Sequence, residues 1–197
     1  MVYSDKSYWE GRYVDASKTH EDELYEWYID FQALKEYIIE DLQLSNSYKP
    51  MILVSGCGNS TFCEELAESG MKLSPPWTVL VQCLKCTVLN YIGISDKVYG
   101  MDYSPAVIDM MQARVETKGY KGVHYFQADA RMMPEVASGS YDCILDKGTL
   151  DAIASAGASE RSGSNQVVNI ILYFIFLLLN NLHLSLYFIL YTLHRVL

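Results

Sequence analysis

Basic side chains are scarce. The 197 residues include 15 lysines and arginines against 24 aspartates and glutamates, a net charge of −9, which excludes a surface built to coat nucleic-acid phosphates. Cysteine is scarce as well. Cys57, Cys63, Cys83, Cys86 and Cys143 are odd in number and scattered, without the framework of a disulfide-stapled secreted domain. An apolar leader is missing: Asp5, Lys6 and Glu10 stand where a signal peptide needs a hydrophobic run. A reducing, cytoplasmic compartment is expected. Cys83-x-x-Cys86 has zinc or redox spacing, but no second pair accompanies it and its surroundings are apolar, so it reads as a chance pair and no metal is expected. Charge is absent from one end of the chain. No Asp, Glu, Lys or Arg falls between Val167 and Leu193, so the acidity belongs to residues 1–166.

What is present is a composition 50% hydrophobic and 20% charged, which excludes disorder and suits one domain with its own core. Apolar residues at helical spacing from Leu24 to Leu44, among them Trp27, Tyr28, Phe31, Leu34 and Ile38, predict an amphipathic helix. Met51–Val54 then predicts a strand, Ser55–Ser60 a tight glycine turn, and Phe62–Ser69 a helix. Val98–Asp102, His124–Asp129 and Tyr141–Asp146 are three further strands, each ending on an acid. Ser104-Pro105 starts a helix that runs through Arg114. Strands alternating with helices predict an α/β fold, a Rossmann-like doubly wound parallel sheet with its site at the carboxyl ends of the strands.

Gly56-x-Gly58 at the first strand-to-helix turn admits close approach of a ligand to the backbone. Asp102, ending the next strand, can accept both hydroxyl protons of a ribose. Asp129 or the Ala130 amide can read an adenine edge. A dinucleotide site would require a third glycine where Thr61 stands, and no Lys-Ser/Thr follows the glycines as in a Walker loop. A nucleoside ligand without pyrophosphate fits better, and S-adenosylmethionine is a common one. The plainer alternative is that the glycines form only a turn and the acids only cap helices.

Leu53-Val54-Ser55-Gly56-Cys57-Gly58-Asn59-Ser60, Met101-Asp102-Tyr103-Ser104 and Asp146-Lys147-Gly148-Thr149-Leu150-Asp151-Ala152 resemble the class I, seven-strand S-adenosylmethionine-dependent methyltransferases. They are most similar to the branch of elongation factor 1-alpha lysine methyltransferases and methyltransferase-like proteins. Tyr8-Trp9 to Tyr13 and Tyr25–Tyr28 share the likeness, which covers about residues 6–70 and 97–166. The resemblance implies S-adenosylmethionine as cofactor, with Gly56 and Gly58 under its methionine moiety, Asp102 on the ribose beside Tyr103, and Asp129 with Ala130 at the adenine. Trp9, Tyr13 and Tyr25 match aromatic positions lining the cofactor, and Lys147 a further contact. Core packing is the alternative for the aromatics. The implied acceptor is a protein lysine, such as one on a translation elongation factor. Asp146 is the carboxylate nearest the acceptor side as candidate catalytic residue, although a strand-terminal Asp can equally cap a helix or hold a loop.

Two segments depart from the family. Residues 71–96, with Pro75-Pro76, read as an insertion. After residue 166 the family's remaining strands have no counterpart, so the expected organisation is a methyltransferase-like domain over 1–166, incomplete after the fourth strand, and an apolar helical tail over 167–197. A truncated chain of this kind is expected to hold part of a cofactor site and to be inactive if the missing strands are essential. The competing expectation is a noncatalytic fragment that binds a partner or is anchored in a membrane by the tail, which is long enough to span one.

Overall fold

The computed structural model describes residues 3, 5–18, 24–26, 30–35, 50–68, 97–133, 136–137 and 140–155. The segment 71–96 and the tail 167–197 lie outside the described residues. Among the described residues no helix is long and apolar enough to cross a membrane.

Among the described residues four strands, β1 (Ile52–Ser55), β2 (Val98–Asp102), β3 (Val123–Gln127) and β4 (Cys143–Asp146), form a sheet in the order β3-β2-β1-β4. Every pairing is parallel, with Ile52 beside both Val98 and Cys143, and Val98 beside Val123. All carboxyl ends therefore lie along one edge. The chain leaves β1 toward β2 and β3, then returns to place β4 on the other flank, and the resulting switch point opens a crevice at that edge. β1 is buried along its whole length and β4 nearly so, as expected of strands covered on both faces.

Alternate residues serve opposite faces. Ile52, Val54, Val98, Tyr125 and Leu145 pack with Phe31, Phe62, Leu66, Ile108 and Met111 on one side. Leu53, Met101 and Ile144 pack with Met133, Tyr141 and Leu150 on the other. Helices flank this sheet, among them α1 (Lys6–Lys18), α2 (Phe62–Glu68), α3 (Pro105–Lys118) and α4 (Thr149–Ala154). α3 begins where Ser104 accepts a hydrogen bond from the Val107 amide and ends at Gly119 in the left-handed region, one turn beyond the predicted stop at Arg114.

The first fifty residues differ from the prediction. The Leu24–Leu44 helix does not begin at Leu24: residues 24–26 are not helical, residues 31–35 are, and residues 36–44 lie outside the described residues. Asp30 decides the start by accepting from the Ala33 amide at 2.9 Å, an N-cap interaction. Upstream, α1 had no sequence prediction. Gly11, a poor helix former, lies inside it, and its aromatics at positions 8, 9 and 13 make no regular apolar stripe.

Candidate functional site: a cleft across the carboxyl edge of the sheet

The crevice at the carboxyl edge is lined by all the residues predicted to contact a cofactor. Each strand end supplies a share. Asp129 and Ala130 follow β3, Asp102 and Tyr103 stand at the end of β2, Gly56 and Gly58 form the turn after β1, and Lys147 follows β4. Trp9, Tyr13 and Tyr25 approach from the N-terminal segment.

Asp102 is buried, 6% exposed. Its Oδ2 accepts from the Gly58 amide at 3.1 Å and its Oδ1 from the Ser104 amide at 3.0 Å. The Tyr103 amide bonds to it as well, so backbone donors hold the carboxylate in place at the edge of the cleft. Burial pushes its pKa up to about 6, against the lowering effect of those amides. The turn that meets it has Gly56 and Gly58 both at positive φ, a conformation most side chains avoid. A Cβ at Gly58 would point at the Tyr13 hydroxyl, 3.0 Å away.

Gly56 has a different neighbour. A Cβ there would lie 1.9 Å from Thr149 Oγ1, and Thr149 donates to the Ser55 carbonyl at 3.0 Å. The space above Gly56 is thus filled by the first residue of α4, so the glycine serves a contact within the protein as well as the cleft. Sequence reasoning missed Thr149 as a partner of the turn, because 93 residues separate it from Gly56.

Asp129 lines the cleft with its acceptor positions engaged. Oδ1 takes the Arg131 amide at 3.0 Å and Arg131 Nε at 2.9 Å; Oδ2 takes Arg131 Nη2 at 2.8 Å and Lys6 Nζ at 2.7 Å. Burial works to raise its pKa, but the bonds from Arg131 and Lys6 outweigh it and hold the carboxyl well below the usual range. Lys6 also lies over the Tyr103 ring, and the Tyr103 hydroxyl donates to its carbonyl at 2.8 Å. The first turn of α1 is thereby tied across the β2 and β3 ends.

Trp9 and Tyr13 stack at 6.2 Å with planes 25° apart; Tyr25 is 41% exposed beneath the Arg12 guanidinium. Each of the three is both packed and open to the cleft. Trp27 and Tyr28, for which core packing was the alternative, lie outside the described residues. Asp146, the candidate catalytic carboxylate, does not line the cleft. Its Oδ1 accepts from the Gly148 and Leu150 amides at 3.2 and 3.3 Å, which is the loop-holding geometry, and burial raises its pKa to about 6. Among the described residues no cluster of His, Cys, Asp and Glu could hold a metal.

Residues 51–168 match the family model described as methyltransferase domain. The chain belongs to the methyltransferase-domain family. This methyltransferase domain is 29% identical over 167 residues to EEF1A lysine methyltransferase 4 of Mus musculus, covering 85% of this chain and 52% of the relative. It is 28% identical over 145 residues to the mitochondrial citrate synthase-lysine N-methyltransferase CSKMT of Pongo abelii, covering 68% of this chain and 51% of the relative. The chain thus spans about half the length of these curated relatives. Among solved structures it is similar to the magnesium protoporphyrin IX methyltransferase ChlM of Synechocystis PCC 6803 with bound SAM, at 13% identity and a TM-score of 0.44, over 85% of this chain and 66% of that one.

Proposed function

We propose that the methyltransferase domain binds S-adenosylmethionine along the carboxyl edge of its sheet and serves methyl transfer to a protein lysine. Asp102 carries this reading: a buried carboxylate fixed by backbone amides and lining an open cleft at the end of β2 suits a vicinal diol. The dimensions agree. Three interstrand steps from β3 to β4 span about 14 Å, room for a nucleoside with an amino-acid arm.

Bound there, S-adenosylmethionine would supply a methyl group activated by its sulfonium. The chain's own residues position and shield it. Asp102 holds the ribose hydroxyls, Ala130 and the Asp129 region face the base, and the Trp9, Tyr13 and Tyr25 rings exclude water and offer π faces to a cation. Asp129 must exchange its Lys6 bond or leave base recognition to the neighbouring backbone. Asp146 holds the Lys147–Thr149 loop rather than touching the acceptor. A protein-lysine acceptor is supported by the lysine methyltransferases among this chain's relatives, and elongation factor 1A by the likeness to EEF1A lysine methyltransferase 4. The net charge of −9 favours encounter with a basic protein. The free, buried thiols of Cys57, Cys63 and Cys143 accord with a cytoplasmic setting.

Calorimetric titration with S-adenosylhomocysteine tests the cofactor reading. Saturable binding by the parent and at least a ~10-fold loss in Asp102→Ala are expected from two lost charge-assisted hydrogen bonds; binding untouched by Asp102→Ala would overturn it. Radiolabelled S-adenosylmethionine offered with elongation factor 1A tests the acceptor, label on lysine being the expected result.

A further inference from the structure

Glu26 falls in the Tyr25–Tyr28 stretch that shares the family likeness, but it does not itself line the cleft. It stands on the non-helical stretch 24–26, yet its carboxylate reaches two distant parts of the chain. Oε1 accepts from the Ser60 hydroxyl at 2.6 Å, the Thr61 amide at 2.9 Å and the Thr61 hydroxyl at 3.3 Å. Oε2 pairs with Lys147 Nζ. The ammonium also lies 5.2 Å from the centroid of the Phe62 ring. With side chains only 27% and 12% exposed, Glu26 and Lys147 form a largely desolvated pair, in which loss of either partner strands a charge. One carboxylate therefore joins the N-terminal segment, the end of the glycine turn and the loop after β4.

These three segments border one half of the cleft. Asp129 and Asp102 occupy the β3 and β2 ends, which suit the base and ribose, so the β1–β4 half is left for the amino-acid arm. That arm ends in a carboxylate and needs a cation. Of the cations lining the cleft among the described residues, Lys6 and Arg131 are committed to Asp129 at the far side, and Lys147 lies on this half.

The geometry points to Glu26 as a positioning residue for the amino-acid end of the cofactor, fixing the glycine turn and holding the Lys147 ammonium at the β4 side without touching the ligand itself. This rests on the S-adenosylmethionine reading above. Its effect should be confined to ligands that carry the amino-acid arm.

The test titrates the full chain and its variants with S-adenosylhomocysteine and with 5′-methylthioadenosine, which lacks that arm. Glu26→Ala is expected to weaken S-adenosylhomocysteine about 10-fold or more and methylthioadenosine less than about 3-fold. Glu26→Gln keeps an acceptor for Ser60 and Thr61 but loses the charge facing Lys147, and its S-adenosylhomocysteine affinity should fall in between. Circular dichroism establishes that both variants are folded, and Glu26→Gln decides if Glu26→Ala is not. Equal losses for the two ligands would overturn the proposal, as would unchanged S-adenosylhomocysteine binding alongside a lowered melting temperature. A parent chain that binds neither ligand would instead overturn the cofactor reading, and the role of Glu26 with it.

Discussion

Asp102 and Gly56 carry the sharpest consequences at the scale of single residues. Asp102 must be ionised to accept two hydroxyl protons, and burial raises its pKa to about 6. S-adenosylhomocysteine affinity should therefore rise about 10-fold between pH 5 and pH 7 and level off above, measured by calorimetry at fixed ionic strength; a flat profile would detach Asp102 from the ligand. At Gly56 the neighbour is Thr149, 1.9 Å from the position of a Cβ. Gly56→Ala should lower stability by about 2 kcal/mol or more through the collision and the positive φ. Adding Thr149→Gly should recover part of that loss. Strictly additive losses in the double variant would show that the two residues do not share this space. The hydroxyl of Thr149 is a separate matter: Thr149→Ser keeps the bond to the Ser55 carbonyl, whereas Thr149→Val does not.

At the scale of elements, the cleft depends on where helices begin. Ser104 is fully buried and caps α3 through its hydroxyl, while its backbone amide donates to Asp102. Ser104→Ala should cost about 1 kcal/mol in chemical denaturation, yet leave S-adenosylhomocysteine affinity within about 2-fold because the amide remains. A large affinity loss would mean that the cap itself orients Asp102. Asp30 does the corresponding work for residues 31–35, and by starting that helix after Glu26 it leaves 24–26 extended enough to reach the glycine turn. α1 is held differently, by Lys6 on Asp129 and by the Tyr103 hydroxyl on the Lys6 carbonyl, contacts that lie over the ligand's expected path.

For the whole molecule, Asp102, Asp146 and Asp129 are among the described carboxyls that set how stability depends on pH, and Glu64 is also raised by burial. Asp102 and Asp146 are raised by burial to about 6. The native state then binds more protons than the unfolded chain between about pH 4 and pH 6, so their contribution is full below that window and lost as pH rises through it. Roughly 3 kcal/mol per group is the scale of that loss. Asp129 acts in the opposite sense. Its depressed pKa contributes stability that is present above about pH 4 and lost on acidification. The ligand-free chain should accordingly melt highest near pH 4 to 5 and lower at pH 7, and Asp102→Asn should flatten the decline. A melting temperature that climbs steadily from pH 4 to pH 7 in the parent would contradict this balance.

The sequence by itself determined the strands and what their ends carry. Apolar runs bounded by glycine or acid are local signals, and a parallel α/β sheet follows from strands alternating with helices. The composition of the candidate site followed too, since a fold of this topology brings Gly58, Asp102 and Asp129 to one edge wherever the intervening chain runs. Only the tertiary structure decided which of these groups remain open to a ligand. Asp129 is engaged by Lys6 from 123 residues away, Gly56 lies under Thr149, and Asp146 is turned into its own loop. Glu26 had a place in a predicted helix, whereas its contacts with Ser60, Thr61 and Lys147 draw it to the cleft. Asp146 bonds amides only two and four residues on, a local choice between capping and catalysis that the sequence left open. For Asp129, Gly56 and Glu26 the physical reason is that a hydrogen bond or a close contact between residues distant in the chain leaves no periodicity behind it, because its energy depends on a distance that exists only after folding.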